Sequence, residues 1–223
     1  RGVHVAGAEY GAEGAHDHRQ RDDAKNLPER DAGNVFEGHA RDATAGAPPR
    51  HIWPTVEGMS ANNITETDLS YLRRCVELAA EALAEGDEPF GSLLLSAAGE
   101  VLFEDRNRVK DGDHTRHPEL AIALWAVANL SPQERAAATV YTSGEHCPMC
   151  SAAHAWVGLG RIVFASSTGQ LSRWCASWGL PEAPVAALPI TTVAPGLQAD
   201  GPVEEFAEEL RAMQAAARGV VLG

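Results

Sequence analysis

The chain has 223 residues, a mass of 23.6 kDa and a formal net charge of -13 at pH 7. This acidity disfavours a nucleic-acid partner, because tight binding to phosphates draws on clustered Lys and Arg to displace counterions. No apolar run approaches the roughly 18 to 20 residues that span a bilayer, and the N-terminus lacks the basic-then-apolar pattern of a signal peptide. These features predict a cytoplasmic protein without a membrane span.

The N-terminal part of the chain is poor in large apolar side chains and rich in glycine and in charges of both signs. Such a segment buries too little apolar surface to offset the entropy lost on ordering. We therefore expect a disordered tail over residues 1–58 and a single domain over residues 59–223, with folded structure beginning near Met59.

The next segments predict a helix followed by a hairpin. From Thr67 onward apolar positions recur at helical spacing, and Gly86 is a natural C-terminal cap. Two short apolar runs, over residues 92–96 and 101–103, flank a turn that contains a glycine. That arrangement is typical of a β-hairpin.

Helices and strands alternate in the middle of the chain. Two predicted helices, over residues 118–130 and 148–157, have Pro at the first helical position, where its missing N–H is not needed. Predicted strands over residues 138–142 and 161–165 follow them. This alternation indicates an α/β fold in which helices layer onto a sheet.

The C-terminal part is less regular. Residues 170–200 are rich in Trp and Pro and resist assignment, although residues 189–193 have the pattern of an edge strand. Apolar positions between residues 203 and 213 then recur at helical spacing and predict a last amphipathic helix.

Two motifs indicate metal chemistry: H-P-E over residues 117–119 and C-P-M-C over residues 147–150, each at a predicted helix start. Thiolates at i and i+3 share one face of the first turn, where the helix dipole favours ionised sulfur. With one histidine they make three ligands, the number that leaves a zinc position open for water. Zinc lowers the pKa of such a water to about 7, and a nearby carboxylate can accept its proton. The predicted ligands of one zinc per chain are His117, Cys147 and Cys150, with Glu119 as the proton carrier.

These motifs resemble the signature of the cytidine deaminase-like superfamily, in the branch of guanine, cytosine and tRNA adenosine deaminases. The likeness covers about residues 69–166 and includes Pro89-Phe90-Gly91 and Asn107. It implies a three-layer α/β/α sandwich around a mixed sheet of about five strands. It also implies hydrolytic deamination of a small nucleobase or nucleoside, contacts of Asn107 and Phe90 with the base, and a homodimer.

Two departures from the resemblance concern substrate recognition. The usual Pro before the first cysteine is His146, and Pro118 lacks the backbone N–H with which relatives bind a ring carbonyl. Substrate identity therefore cannot be copied; a guanine-type purine is the first choice and a cytosine-type ring the second. Trp174 and Trp178 either fold over the ring as a lid or pack in the core or an interface.

Two alternatives stay open on the sequence. His154 lies four residues after Cys150 and could complete a closed, purely structural zinc site. The other alternative is a tRNA adenosine deaminase, which the charge disfavours, since residues 59–223 carry 11 basic and 21 acidic residues.

Overall fold

The computed structural model describes residues 63–223, so the tail predicted over residues 1–58 lies outside the described residues. No helix in the described part is both long and apolar enough to cross a membrane. The strands are β1 (Gly91–Leu95), β2 (Val101–Arg106), β3 (Thr139–Gly144), β4 (Arg161–Ser166) and β5 (Ala199–Asp200). The helices are α1 (Glu66–Ala84), α2 (Pro118–Asn129), α3 (Pro132–Ala137), α4 (Pro148–Val157), α5 (Thr168–Ser177), α6 (Ile190–Val193) and α7 (Ala207–Ala217), with a 3-10 turn at Glu204–Phe206.

The five strands form one mixed sheet in the order β2-β1-β3-β4-β5. The hairpin predicted from the glycine-containing turn is confirmed, because β1 pairs antiparallel with β2. β1 also pairs antiparallel with β3, whereas β4 runs parallel to both β3 and β5. In the β1–β3 register Ser92 lies opposite Thr142.

Helices cover both faces of the sheet. Successive side chains of a strand point to opposite faces, so one strand can pack against helices on both sides. Leu93 and Leu95 of β1 pack in a cluster with side chains of α1 and with Phe206 and Leu210 from the C-terminal part. Leu94, between them, packs on the other face with side chains of α2. The predicted three-layer α/β/α sandwich is therefore confirmed.

A buried polar network fixes the start of α1 to the sheet. Thr65 and Asp68 form a capping box at the N-terminus of the helix. The Asp68 carboxylate also accepts hydrogen bonds from Arg161 Nη1 at 2.8 Å and from Tyr141 Oη at 2.7 Å. Asp68 is 3% exposed, so one carboxylate joins α1 to β3 and β4 inside the protein.

The prediction of an edge strand over residues 189–193 is wrong. Ile190–Val193 forms the single helical turn α6. The Ile190 N–H donates to Glu145 Oε1 at 2.9 Å, and the Ile190 carbonyl accepts from the Ala194 N–H at 2.7 Å. The backbone N–H and carbonyl of Ile190 are therefore used in a turn and do not pair with a strand. The Ile190 side chain packs against the sheet. The edge next to β4 is instead occupied by β5.

Candidate metal centre

The sequence motifs meet where α2 and α4 begin. His117 is the N-cap of α2, Cys147 is the N-cap of α4, and Cys150 lies in the first turn of α4. His117 Nδ1 lies 3.6 Å from the sulfur atoms of both cysteines. All three ligand atoms lie within 4.8 Å of one another. The packing of α2 against α4 brings together residues that are 30 or more positions apart in sequence.

The geometry fits zinc. Bonds of about 2.3 Å to sulfur and about 2.1 Å to nitrogen, at tetrahedral angles, require a sulfur–nitrogen separation of about 3.6 Å. The two observed separations are both 3.6 Å. One histidine and two cysteines are also the soft and borderline donors that zinc takes in proteins. The described residues contribute three ligands to this group, which leaves a fourth position for water.

The contact between Cys147 and Cys150 shifts the pKa values of the two thiols in opposite directions. A hydrogen bond from Cys150 lowers the pKa of Cys147 to about 4. The same contact, together with burial, raises the pKa of Cys150. A divalent cation between the sulfurs would favour the ionised form of both, which couples metal binding to proton release.

Glu119 is held at the floor of this site. Its side chain is only 6% exposed. Its Oε1 accepts hydrogen bonds from Ser92 Oγ at 3.0 Å and from Thr142 Oγ1 at 2.9 Å. Burial raises the pKa of the Glu119 carboxyl above its usual value. A raised pKa suits a group that must both accept and release a proton near neutral pH.

Asn107 and Phe90 lie side by side where β1 begins and β2 has ended. The Asn107 N–H donates to the Phe90 carbonyl at 2.9 Å, and Asn107 Oδ1 accepts from the Val109 N–H at 3.1 Å. Asn107 is fully buried, yet its Nδ2 has no hydrogen-bond partner among the described residues. A buried amide donor without a partner costs free energy, so this group is suited to an acceptor on a ligand. Phe90 packs closely against Gly144 at the end of β3.

The two tryptophans lie on the segment that was hard to assign. Residues 168–177 form helix α5, which begins with a capping box between Ser167 and Gln170. Trp174 is half-buried and packs against the apolar cluster on the α1 face of the sheet. Trp178 ends the helix, and its indole N–H has no partner among the described residues. No hydrogen bond or ring contact within residues 63–223 links either tryptophan to His117, Cys147 or Cys150.

His154 is not a fourth ligand in this structure. It lies outside the group of three, and its Nε2 lies 2.9 Å from the carbonyl of Gly160, which accepts the N–H. Its ring meets that of His146 edge-on, with centroids 5.3 Å apart. Burial lowers the pKa of both rings. The geometry therefore disfavours the closed structural site.

A cavity of about 310 Å³ opens beside the metal centre. Its walls include His117 and Leu124 of α2 and the charged Asp105, Arg108 and Arg116 from the segment before that helix. Its volume lies at the lower end of the range for small-molecule sites. Among its lining residues only His117 belongs to the ligand group, so the cavity adjoins the metal centre without enclosing it.

Three curated relatives are similar to this chain. The probable cytosine deaminase of Schizosaccharomyces pombe is 36% identical over 115 residues, which are 52% of this chain and 70% of that protein. The guanine deaminase of Bacillus subtilis is 31% identical over 44% of this chain and 63% of its own length. The tRNA-specific adenosine deaminase of Haemophilus influenzae is 30% identical over 46% of this chain and 60% of its own length.

A family model and a solved structure agree with these relatives. The model of the cytidine and deoxycytidylate deaminase zinc-binding region matches residues 65–166. The structure of the guanine deaminase from Nitrosomonas europaea superimposes with a TM-score of 0.52. That match covers 82% of this chain and all of the other chain, at 20% sequence identity. At this identity the likeness supports the fold alone.

Proposed function

Because the chain belongs to the cytidine deaminase-like superfamily of zinc-dependent hydrolytic deaminases, we propose that it removes an amino group from a free nucleobase or nucleoside and releases ammonia. The observation that carries this proposal is the three-ligand group, whose 3.6 Å separations fit a zinc with one open position, above a buried carboxyl. A guanine-type purine is the first candidate substrate. A cytosine-type ring is the second, favoured by the 36% identity to the S. pombe protein.

We assign the metal to His117, Cys147 and Cys150. Bound there, zinc supplies a water of lowered pKa as the attacking group. Glu119 would accept one proton from that water and deliver it to a ring nitrogen, and would then carry a second proton, from the added hydroxyl group, to the departing amine. Its burial supports this role, because a carboxyl shielded from solvent does not exchange its proton with bulk water during the reaction.

Substrate contacts are assigned to Asn107 and Phe90, with Trp174 and Trp178 as candidates for a lid. The unpartnered Nδ2 of Asn107 is a donor for a ring acceptor, and the Phe90 ring gives an apolar wall. The core packing of Trp174 weighs against a lid. If Trp174→Ala leaves kcat and KM unchanged, the lid assignment is wrong.

The activity is tested by measuring ammonia release from a panel of free bases and nucleosides, with zinc measured in the same preparation. We expect about one zinc per chain and turnover of at least one aminated ring. Glu119→Gln should reduce kcat by at least a hundredfold while zinc content stays near one, since it removes the proton carrier and keeps the side-chain shape. An absence of stoichiometric zinc, or full activity in Glu119→Gln, contradicts the proposal.

A tRNA substrate is the alternative within the same chemistry, because a relative of this kind exists. Residues 59–223 carry 21 acidic and 11 basic residues, which leaves little positive surface for an RNA stem-loop. Filter binding with tRNA at two salt concentrations separates the two substrates. Tight, salt-sensitive binding would favour the tRNA alternative.

We also propose a homodimer formed through the outer faces of α2 and α4. Leu124, Val127 and Trp156 on these packed helices are 65%, 52% and 91% exposed. Apolar exposure of this kind favours burial against a second copy. Light scattering should give twice the chain mass, and Trp156→Glu should shift it towards the monomer. Val221→Glu, at a C-terminal residue that is 94% exposed, is the control; a monomeric parent protein contradicts the dimer.

The deaminase domain is proposed to span residues 59–223. The family model matches residues 65–166, which lie inside this span. A chain that begins at Met59 should therefore bind zinc and retain the activity of the full chain. Loss of zinc on this truncation would assign a structural role to the preceding segment.

A further inference from the structure

Ser92 and Thr142 form a buried hydroxyl pair directly beneath Glu119. They face each other across the β1–β3 pairing, and both are fully buried. The preceding pair on the same face, Leu94 and Val140, is apolar and belongs to the core under α2. On this face of the sheet the Leu94–Val140 pair is therefore apolar, whereas the next pair, Ser92 and Thr142, is polar and contacts the Glu119 carboxyl.

The hydroxyl pair contacts one oxygen of the carboxyl only. Ser92 Oγ and Thr142 Oγ1 lie 3.0 and 2.9 Å from Glu119 Oε1, and 2.9 Å from each other. Within residues 63–223, Oε2 receives no hydrogen bond from another side chain. The two carboxyl oxygens therefore have different surroundings, since Oε1 contacts hydroxyl groups of both strands and Oε2 contacts neither of them.

We propose that Ser92 and Thr142 are positioning residues for Glu119: they hold Oε1 against β1 and β3 so that Oε2 is oriented to exchange protons with water and substrate. This inference rests on the proposed deaminase activity. It extends the site beyond the motif residues to two strand residues that the motifs do not contain.

The physical reason is the freedom of a carboxyl about its last bond. The terminal torsion of Glu has a broad minimum, so packing alone leaves the carboxyl plane poorly defined. Hydroxyl contacts from two strands on one oxygen define that plane and help to satisfy a group that is costly to bury alone, although the Thr142 hydroxyl also lies 2.9 Å from the Gly144 carbonyl oxygen. Proton transfer depends steeply on distance and direction, and a misplacement of about 1 Å can cost on the order of a hundredfold in rate.

Thr142→Val and Ser92→Ala remove the hydroxyls while keeping the side chains close to their original size. We expect each variant to lower kcat by roughly tenfold with guanine or cytosine, whichever is turned over, and to change KM by less than about twofold. Thr142→Ser keeps the hydroxyl and should restore kcat to within about threefold of the parent. All variants should retain about one zinc per chain, because neither residue is in the ligand group.

Ser166→Ala is the matched control. Ser166 is a buried serine on β4 whose hydroxyl donates to the Ser143 carbonyl at 2.9 Å and makes no hydrogen bond to Glu119. It should lower the melting temperature about as much as Ser92→Ala does, with kcat near that of the parent.

The outcomes separate this inference from the function on which it rests. Parental kcat in both Thr142→Val and Ser92→Ala overturns the positioning role, provided that Glu119→Gln is inactive. An equal loss of kcat in Ser166→Ala also overturns it, since the effect then follows general destabilisation. If Glu119→Gln is fully active, the deaminase proposal itself fails.

Discussion

Replacing Asp68 with Asn should destabilise the protein at neutral pH, and the loss should shrink in acid. The Asp68 carboxylate is almost fully buried and accepts hydrogen bonds from Arg161, Tyr141 and the Thr65 N–H. Burial raises the pKa of this carboxyl, but the hydrogen bonds outweigh burial, led by that from Arg161, and lower the pKa from 3.8 to about 2. The folded protein therefore prefers the ionised form.

The magnitude follows from this difference in pKa between the folded and unfolded states. A fall in pKa from 3.8 to about 2 stabilises the folded protein by roughly 2 to 3 kcal/mol at pH 7. Because the folded pKa is the lower one, this contribution is complete well above pH 3.8 and is lost as the pH falls through about 2. At pH 3 roughly half of this contribution is left.

Urea unfolding followed by tryptophan fluorescence measures this contribution. Asn resembles the protonated carboxyl in shape and charge, so Asp68→Asn should lose roughly 2 to 3 kcal/mol of unfolding free energy at pH 7 and roughly half of that at pH 3. Parent and variant are compared at the same pH, so that metal release in acid affects both. Glu66→Gln, in the same helical turn but exposed, should change stability by only a few tenths of a kcal/mol. An equal loss for Asp68→Asn at both pH values would refute the charge as its source.

Three further changes test the packing and the site. Gly91→Ala should unfold the protein or cost several kcal/mol, because the added Cβ would lie 2.4 Å from Leu78 Cβ, whereas Gly196→Ala meets no atom within 4 Å and should melt like the parent. The two oxygens of the Glu145 carboxylate accept the first N–H groups of α5 and α6. Glu145→Gln replaces one of these oxygens with an NH2 group, so amide hydrogen exchange in those helices should rise several-fold. Unchanged exchange would contradict this role. Removing metal with a chelator should abolish ammonia release and lower the melting temperature, and re-addition of zinc should restore both.

The sequence predicted the elements whose two ends carry local signals. Helix α4 has the predicted bounds, because Pro148 starts it and Gly158, with φ +73°, ends it. The helix predicted over residues 118–130 is confirmed to within one residue, and here too a proline defines the start. In these helices the local sequence preference and the tertiary structure agree, so the sequence alone is enough to predict their bounds.

Two elements of the C-terminal part were missed. Helix α5 has apolar residues at helical spacing, namely Leu171, Trp174, Cys175 and Trp178, but they lie in a stretch rich in Trp and Pro that obscured the pattern. The turn α6 is stabilised by Glu145, whose carboxylate binds the Ile190 N–H from 45 positions away. Apolar residues near position 190 were therefore read as an edge strand, although a distant acceptor decides their conformation.

The same limit applies to the site. The metal ligands could be predicted because their spacing within each motif reflects one helical turn. The supporting role of Ser92 and Thr142 could not be predicted, because their contact with Glu119 depends on the register of two strands that lie 50 positions apart in sequence. A signal was nonetheless present, since each is a hydroxyl residue inside a strand that is otherwise largely buried. A buried polar residue opposite another in a predicted pair of strands therefore indicates a supporting position.

The helices differ in whether a side chain caps the first turn, and α6 and α7, which hold none of the candidate ligands, are among those without a side-chain cap. Helices α1, α3 and α5 each begin with a capping box, in which a Ser or Thr side chain accepts a backbone N–H of the first turn. Helices α2 and α4 begin with His117 and Cys147, which make no capping hydrogen bond. A capping side chain contributes about 1 kcal/mol, so these two helices give up about 2 kcal/mol between them. Both N-cap positions hold predicted ligands of one metal ion. Metal binding would therefore stabilise the starts of both helices, which would couple their stability to occupancy of the site.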